Sequence, residues 1–310
     1  MTEFATAMHG PSPKMTRRTW IHRASIASAA LALCPHFAVA GFGSEFREEP
    51  RVAGRSRISD EDEIALGRRF AAEFEQESLI LANPLIDQHL NDLAGELAAA
   101  SRRPNLPYRV KLVNSPAVNS ASLPGGTIYI NRGMLALMTS EDELAATLAH
   151  EIGHIVGRHA INQLLLTFQA QAVLKSVLDN LNKQNGVVEK IILQLGGAVA
   201  MLAKLQFSRQ DETQADLLGF YNELRAGWDP RGFLKLFAAL DAAEQSNGGG
   251  SIPLLSGHPP TPERAAAIQH ELSLVTVPED ARTDSLDFRA CKAALQLLPP
   301  APKTAPPAPQ

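Results

Sequence analysis

The residues of this 310-residue chain best suited to chemistry stand together as His150-Glu151-Ile152-Gly153-His154. In a helix, side chains four apart share a face about one turn from each other, so the two imidazoles can reach one metal ion. Glu151 then stands beside the open coordination position of a catalytic zinc, where it can take a proton from water whose pKa the ion lowers from about 15.7 to about 7. Such chemistry suits amide hydrolysis at neutral pH. By ordinary residue usage the pentad arises by chance in on the order of one in a hundred chains of this length, so its surroundings decide what it means.

Ser140 and Glu143 have capping-box spacing, which predicts a helix from there through Gly157. Leu144, Leu148, Ile152 and Ile155 fall on one core-facing stripe, rotated away from the stripe of His150 and His154. The competing reading is a surface helix with two solvated histidines. A catalytic zinc wants a third protein ligand, a His, Glu, Asp or Cys from elsewhere. Cysteine is excluded, because the chain has two, Cys34 and Cys291, and the first lies in a targeting segment. Downstream, Ser208 opens another capped helix in which Glu212 and Asp216 are i and i+4 neighbours on one face. One could bind metal while the other orients a ligand histidine through its ring N–H. Alone, the pair reads more simply as an acidic first turn answering the helix dipole.

These segments resemble a known family. His150 to His154 with Arg158-His159, then Ser208-Arg209, Glu212 and Ala215-Asp216, are similar to the gluzincins that include CAAX prenyl endopeptidase and HtpX-type heat-shock proteases. Asn119-Ser120-Ala121 through Pro124-Gly125-Gly126, with Thr127 to Asn131 and Gly133, resembles that family's strand before the zinc helix. Gly257-His258-Pro259-Pro260-Thr261-Pro262-Glu263-Arg264 resembles its His-Pro segment. The likeness runs from about Glu61 to Glu271 and is nearest to soluble periplasmic members of outer-membrane quality control, several of which carry a helical-repeat domain not seen here. The resemblance implies one zinc per chain held by His150, His154 and Glu212, with Glu151 as general base. It implies that Asp216 supports a ligand or donates a proton, and that His258 is either a fourth ligand in a closed state or an oxyanion stabiliser. Gln214 departs from relatives that often carry an acid there. Arg264 reads as structural, pairing with a carboxylate at a helix start.

Composition fits a compact enzyme, and the amino end reads as a targeting segment. Net charge of -4 gives no basic field for nucleic acid, and 45% hydrophobic with 20% charged residues is globular. Lys14, Arg17, Arg18 and Arg23 precede the apolar run 24–33, and Ala38-Val39-Ala40 has the form of a cleavage site, so residues 1–40 read as a signal peptide. Thr16 to Trp20 resembles a twin-arginine signal, the general secretory route fits nearly as well, and Met15 is a second candidate start. Lipoprotein anchoring at Cys34 is the weaker alternative, because Leu33 is a poor fit before it. The expected organisation continues as a linker 41–59, a metallopeptidase domain 60–275, an extension 276–298 with a short helix, and a Pro/Ala-rich disordered tail 299–310.

Within that domain, residues 60–100 read as two helices broken near Asn83-Pro84, and 108–114 and 127–131 as strands, with Pro124-Gly125-Gly126 as a turn. Residues 160–206 read as a buried helical hairpin, with a mobile lid or membrane-facing plug as alternative, and 246–251 as a flexible loop before His258. The apolar run 191–203 is shorter than the roughly 20 residues of a membrane span, so none is expected after residue 40. The predicted fold is a mainly helical α+β zincin-like domain with a small sheet bordering the active cleft. The expected function is a zinc endopeptidase, exported to the periplasm, acting on misfolded or unassembled cell-envelope proteins, with outer-membrane assembly machinery as a possible partner. The alternatives are a zinc-stabilised chaperone or assembly factor with latent activity and, against the lack of a span, a membrane-embedded prenyl-protein endopeptidase.

Overall fold

Short polar side chains fix where the helices of this chain begin. Ser59 accepts from the backbone N–H of Asp62, Asn83 from those of Leu85 and Ile86, Thr261 from that of Arg264, and Ser285 from that of Phe288. Ser140 with Glu143 and Ser208 with Asp211 form reciprocal capping boxes. The computed structural model describes residues 58–167, 207–246 and 258–301, all in one compact unit. The signal peptide, nearly all of the linker, most of the 160–206 hairpin, most of the loop before His258 and most of the tail lie outside the described residues.

The described helices are α1 (Asp60–Glu77), α2 (Pro84–Ala99), α3 (Arg132–Leu137), α4 (Glu141–Val156), α5 (His159–Thr167), α6 (Arg209–Ala226), α7 (Gly232–Ser246), α8 (Pro262–Leu274) and α9 (Leu286–Leu297), and the caps above start α1, α2, α4, α6, α8 and α9. Four strands, β1 (Ile80–Leu81), β2 (Arg109–Val113), β3 (Ser120–Ser122) and β4 (Thr127–Asn131), form one mixed sheet of order β1-β2-β4-β3. β2 runs parallel to β4 with Arg109 opposite Thr127, and β3 runs antiparallel to β4 with Ser120 opposite Ile130. The mainly helical α+β architecture follows the sequence reading. The sheet has two more strands than the sequence pattern predicts, because β1 and β3 are too short to show an alternation.

Helix α4 departs from the amphipathic pattern expected of it. All of its residues are buried, charged ones included, so no solvent face separates a core stripe from a metal stripe. It runs through the middle of the unit against α2, α6 and α7. Its closest neighbour is α6, and Gly153 makes the approach possible: a Cβ there would lie 2.3 Å from the Ala215 carbonyl oxygen. That contact sets His150 and His154 on α4 across from Glu212 and Asp216 on α6.

Further along α6, Glu223 is fully buried, and neither carboxyl oxygen has a hydrogen-bond partner among the described residues. Burial, reinforced by Asp142 and Asp229, pushes its pKa well above the ordinary 4.5. An acid whose folded pKa is raised holds its proton when folded and sheds it on unfolding, so its contribution to stability falls as pH rises above the unfolded value. Glu223→Gln keeps the shape and removes this titration. Its thermal midpoint should exceed that of the wild type by a margin that widens from about pH 5 to about pH 8, followed by circular dichroism; a margin that does not change with pH would contradict this account.

Candidate metal centre

Four side chains from three parts of the fold converge. His150 and His154 come from α4, Glu212 from the first turn of α6, and His258 from the segment leading into α8. One ligand atom from each lies within 4.8 Å of the others. The Nε2 atoms of His150 and His154 are 3.0 Å apart, and Nδ1 of His258 is 3.3 Å from His150 Nε2. Glu212 brings Oε1 to 3.4 Å from His154 Nε2 and Oε2 to 3.5 Å from His150 Nε2. A tetrahedral ion with bonds of about 2.0–2.1 Å needs ligand atoms separated by roughly 3.3 Å, so the donor set fits zinc in both type and spacing.

The neighbours of this set explain its charge state. Nδ1–H of His150 donates to Asp216 Oδ1 at 2.7 Å, which leaves a lone pair on the Nε2 that faces the other ligands. Asp216 is fully buried and pinned from the other side by Arg264, whose Nε and Nη2 each donate at 2.6 Å. Burial alone would raise the Asp216 carboxyl, but Arg264 and His150 hold it low. Burial would raise Glu212 as well, and His258, His154 and His150 together hold it far below the usual carboxylate range. For His154 burial dominates and pushes the ring well below its ordinary value, towards the neutral form a metal requires. Glu151, Glu212 and Asp216 are all buried beside the guanidinium of Arg264, and a divalent cation held by this group would balance that excess of carboxyl groups.

Glu151 points into the same space from the turn between the two histidines. Ser120 Oγ donates to its Oε1 at 2.7 Å, whereas its Oε2 is buried without a hydrogen-bond partner among the described residues. Ser120 belongs to β3, the strand at the edge of the sheet. Asn119 O accepts from Asn131 N at 2.9 Å and Leu123 N donates to Thr127 O at 2.8 Å, so antiparallel alternation turns the main-chain groups of Ser120 and Ser122 towards the open edge. Beside this edge a cleft is lined by Val118, Ser120, Met134, Phe233, Phe237 and Leu240, together with His150 and His258.

The structure therefore brings His150, Glu151, His154, Glu212, Asp216 and His258 into one locus. Sequence reasoning missed the contact of Ser120 with Glu151, the ring of Phe207 stacked on His154 at 4.2 Å, and the packing of His159 on the far side of His154. It also understated Arg264, which is buried, grips Asp216, lies 3.0 Å from Glu212 Oε2 and donates to the carbonyls of His258 and Pro259. The capped start of α8 placed Arg264 in its first turn, but no local spacing could name partners so far away in the chain.

Paired histidines on a central helix, a glutamate from a second helix and an edge strand beside the site define a zincin-like metallopeptidase. The chain belongs to peptidase family M48, whose model matches residues 84–272. It is 26% identical over 270 residues to the mitochondrial metalloendopeptidase OMA1 of Schizosaccharomyces pombe, covering 84% of this chain and 74% of that protein. It is 27% identical over 194 residues to the beta-barrel assembly-enhancing protease of Yersinia pestis, and 23% over 218 residues to metalloprotease YcaL of Escherichia coli strain K12. The second match covers 61% of this chain and 39% of the relative, and the third 70% and 82%. The protein is thus a zinc-dependent metalloendopeptidase, which sets aside the chaperone alternative. Among the described residues no helix is long and apolar enough to cross a membrane.

Arg264→Met keeps the bulk of the side chain and removes the cation, leaving Asp216 buried without its guanidinium. We expect the metal-free variant to lose about 3–5 kcal/mol of folding free energy in urea. A loss below about 1 kcal/mol, typical of an exposed pair, would show that the Asp216–Arg264 contact does not organise the site.

Proposed function

We propose that this enzyme is exported and hydrolyses peptide bonds of misfolded or unassembled proteins of the cell envelope. The observation that carries the catalytic part is the buried Glu151 carboxyl, one oxygen held by Ser120 and the other free, beside His150, His154 and Glu212. The signal-like residues 1–40 support export to the periplasm, and the similarity to the beta-barrel assembly-enhancing protease of Yersinia pestis supports substrates or partners in outer-membrane assembly. In this reading residues 60–275 form the catalytic domain, and 276–298 extend it.

His150, His154 and Glu212 would hold zinc, with Asp216 fixing the ring of His150. When bound, zinc supplies a Lewis acid that polarises a carbonyl oxygen and acidifies water. The remaining work belongs to the chain. A substrate strand pairs main chain to main chain with the open edge of β3, which binds many sequences alike. Glu151 takes the proton of the attacking water on its free Oε2 and carries it to the leaving amine, while Ser120 holds Oε1 and stops the carboxyl from rotating. His258 completes a four-donor set with the other ligands in this arrangement, so a substrate carbonyl must displace it; we read this as a latent state rather than oxyanion stabilisation.

Casein digestion with and without a chelator tests the reaction. Activity should vanish with the chelator and return with zinc. Glu151→Gln should keep the metal and lose turnover, because the base is not a ligand, and His258→Ala should digest casein faster than the wild type. Full activity in Glu151→Gln would sink the mechanism, and a fall of roughly 10²–10³ in His258→Ala turnover would move that residue to the oxyanion role.

A further inference from the structure

His154 rests on another histidine, and that histidine rests on an amide. Nδ1 of His159 lies 2.8 Å from Nδ1 of His154, and Nε2 of His159 lies 2.8 Å from Oε1 of Gln214. His159 is 2% exposed, and the backbone is shaped around it. Arg158 between α4 and α5 takes a left-handed conformation with φ 54°, which returns the chain so that the ring lies under the end of α4. A Cβ on Gly157 would fall 2.4 Å from His159 Nε2, so the absence of a side chain at Gly157 leaves the ring its space.

We propose that Gln214 and His159 form a two-link relay that fixes His154 in the tautomer a metal ligand needs, an inference that rests on the metal-site reading above. A neutral imidazole carries one N–H donor and one acceptor nitrogen. The carbonyl oxygen of Gln214 can only accept, so the proton of His159 sits on Nε2 and its Nδ1 accepts. The proton of His154 then sits on Nδ1, and its Nε2 presents a lone pair towards His150 and Glu212. With the amide of Gln214 turned end for end, its NH₂ would donate to His159 Nε2, each hydrogen bond would reverse, and His154 would present a proton to the site instead. The two histidines of α4 are therefore oriented by different means. His150 is set by the carboxylate of Asp216, which accepts in either rotamer, and His154 by an amide whose two ends give opposite results. Asp211 Oδ1 stands off at 3.8 Å from His159 Nε2, beyond the Gln214 oxygen at 2.8 Å.

Zinc affinity of the folded, metal-free protein tests this, measured by competition with a chromophoric chelator. Gln214→Glu retains an acceptor and should bind zinc as the wild type does. Gln214→Leu and His159→Phe should bind about 10–100-fold more weakly, the usual cost of losing a group that orients a ligand. Gln214 is partly exposed, so its variants should unfold at the wild-type temperature without metal, and a packing effect would not separate Glu from Leu. In metal-free wild type, imidazole ¹⁵N shifts should place the proton of His154 on Nδ1. Zinc bound as tightly by Gln214→Leu as by the wild type, equal weakening in the Glu and Leu variants, or a His154 proton on Nε2 would overturn the relay while leaving the metal centre intact. A wild-type chain that binds no zinc would overturn both.

Discussion

Helices α4 and α6 meet with Gly153 facing the backbone of Ala215, and no side chain separates them. That contact decides what the facing residues can do. It brings His150 to within 2.7 Å of Asp216 and both His150 and His154 to within 3.5 Å of Glu212. It also explains why α4 is buried along its whole length: sheet, α2, α6 and α7 surround it, and its polar groups must find partners in the protein instead of water.

Burying so many ionisable groups is costly unless their charges are matched. Part of the match comes from Arg264, which spans Asp216 and Glu212 and also holds the backbone of His258 and Pro259. The remainder is the place of a divalent cation, and the spacing of three imidazole nitrogens and a carboxylate agrees with that. The same low-dielectric setting suits the base role proposed for Glu151, since its carboxyl sits in a fixed position with one oxygen held by Ser120 and the other unengaged among the described residues. In the proposed mechanism, the contact of Glu151 with Ser120 on the open edge of β3 is what would join peptide binding to the chemistry.

Much of this could be read from the sequence where the information is local. Ser140, Glu143 and Gly157 marked both ends of α4, Ser208 the start of α6, and residues 127–131 the strand β4. The i and i+4 spacing of His150 with His154 and of Glu212 with Asp216 reports a shared face on any helix. What the sequence concealed is tertiary. β1 and β3, of two and three residues, exist through their neighbours and have no periodicity of their own. The hydrogen bonds of Ser120 to Glu151 and of Arg264 to Asp216 join residues far apart in the chain. The placement of His159 depends on a left-handed turn at an arginine, a residue type that gives no sign of that conformation.

The central claim is that the α4–α6 contact builds a single zinc centre from His150, His154 and Glu212. Anomalous X-ray scattering at the zinc edge, recorded from crystals of the purified protein, tests it most directly. The account predicts one strong peak at about 2.0–2.2 Å from Nε2 of both histidines and from a carboxylate oxygen of Glu212. A crystal without a peak in that space, or with its zinc bound elsewhere on the chain, would contradict it.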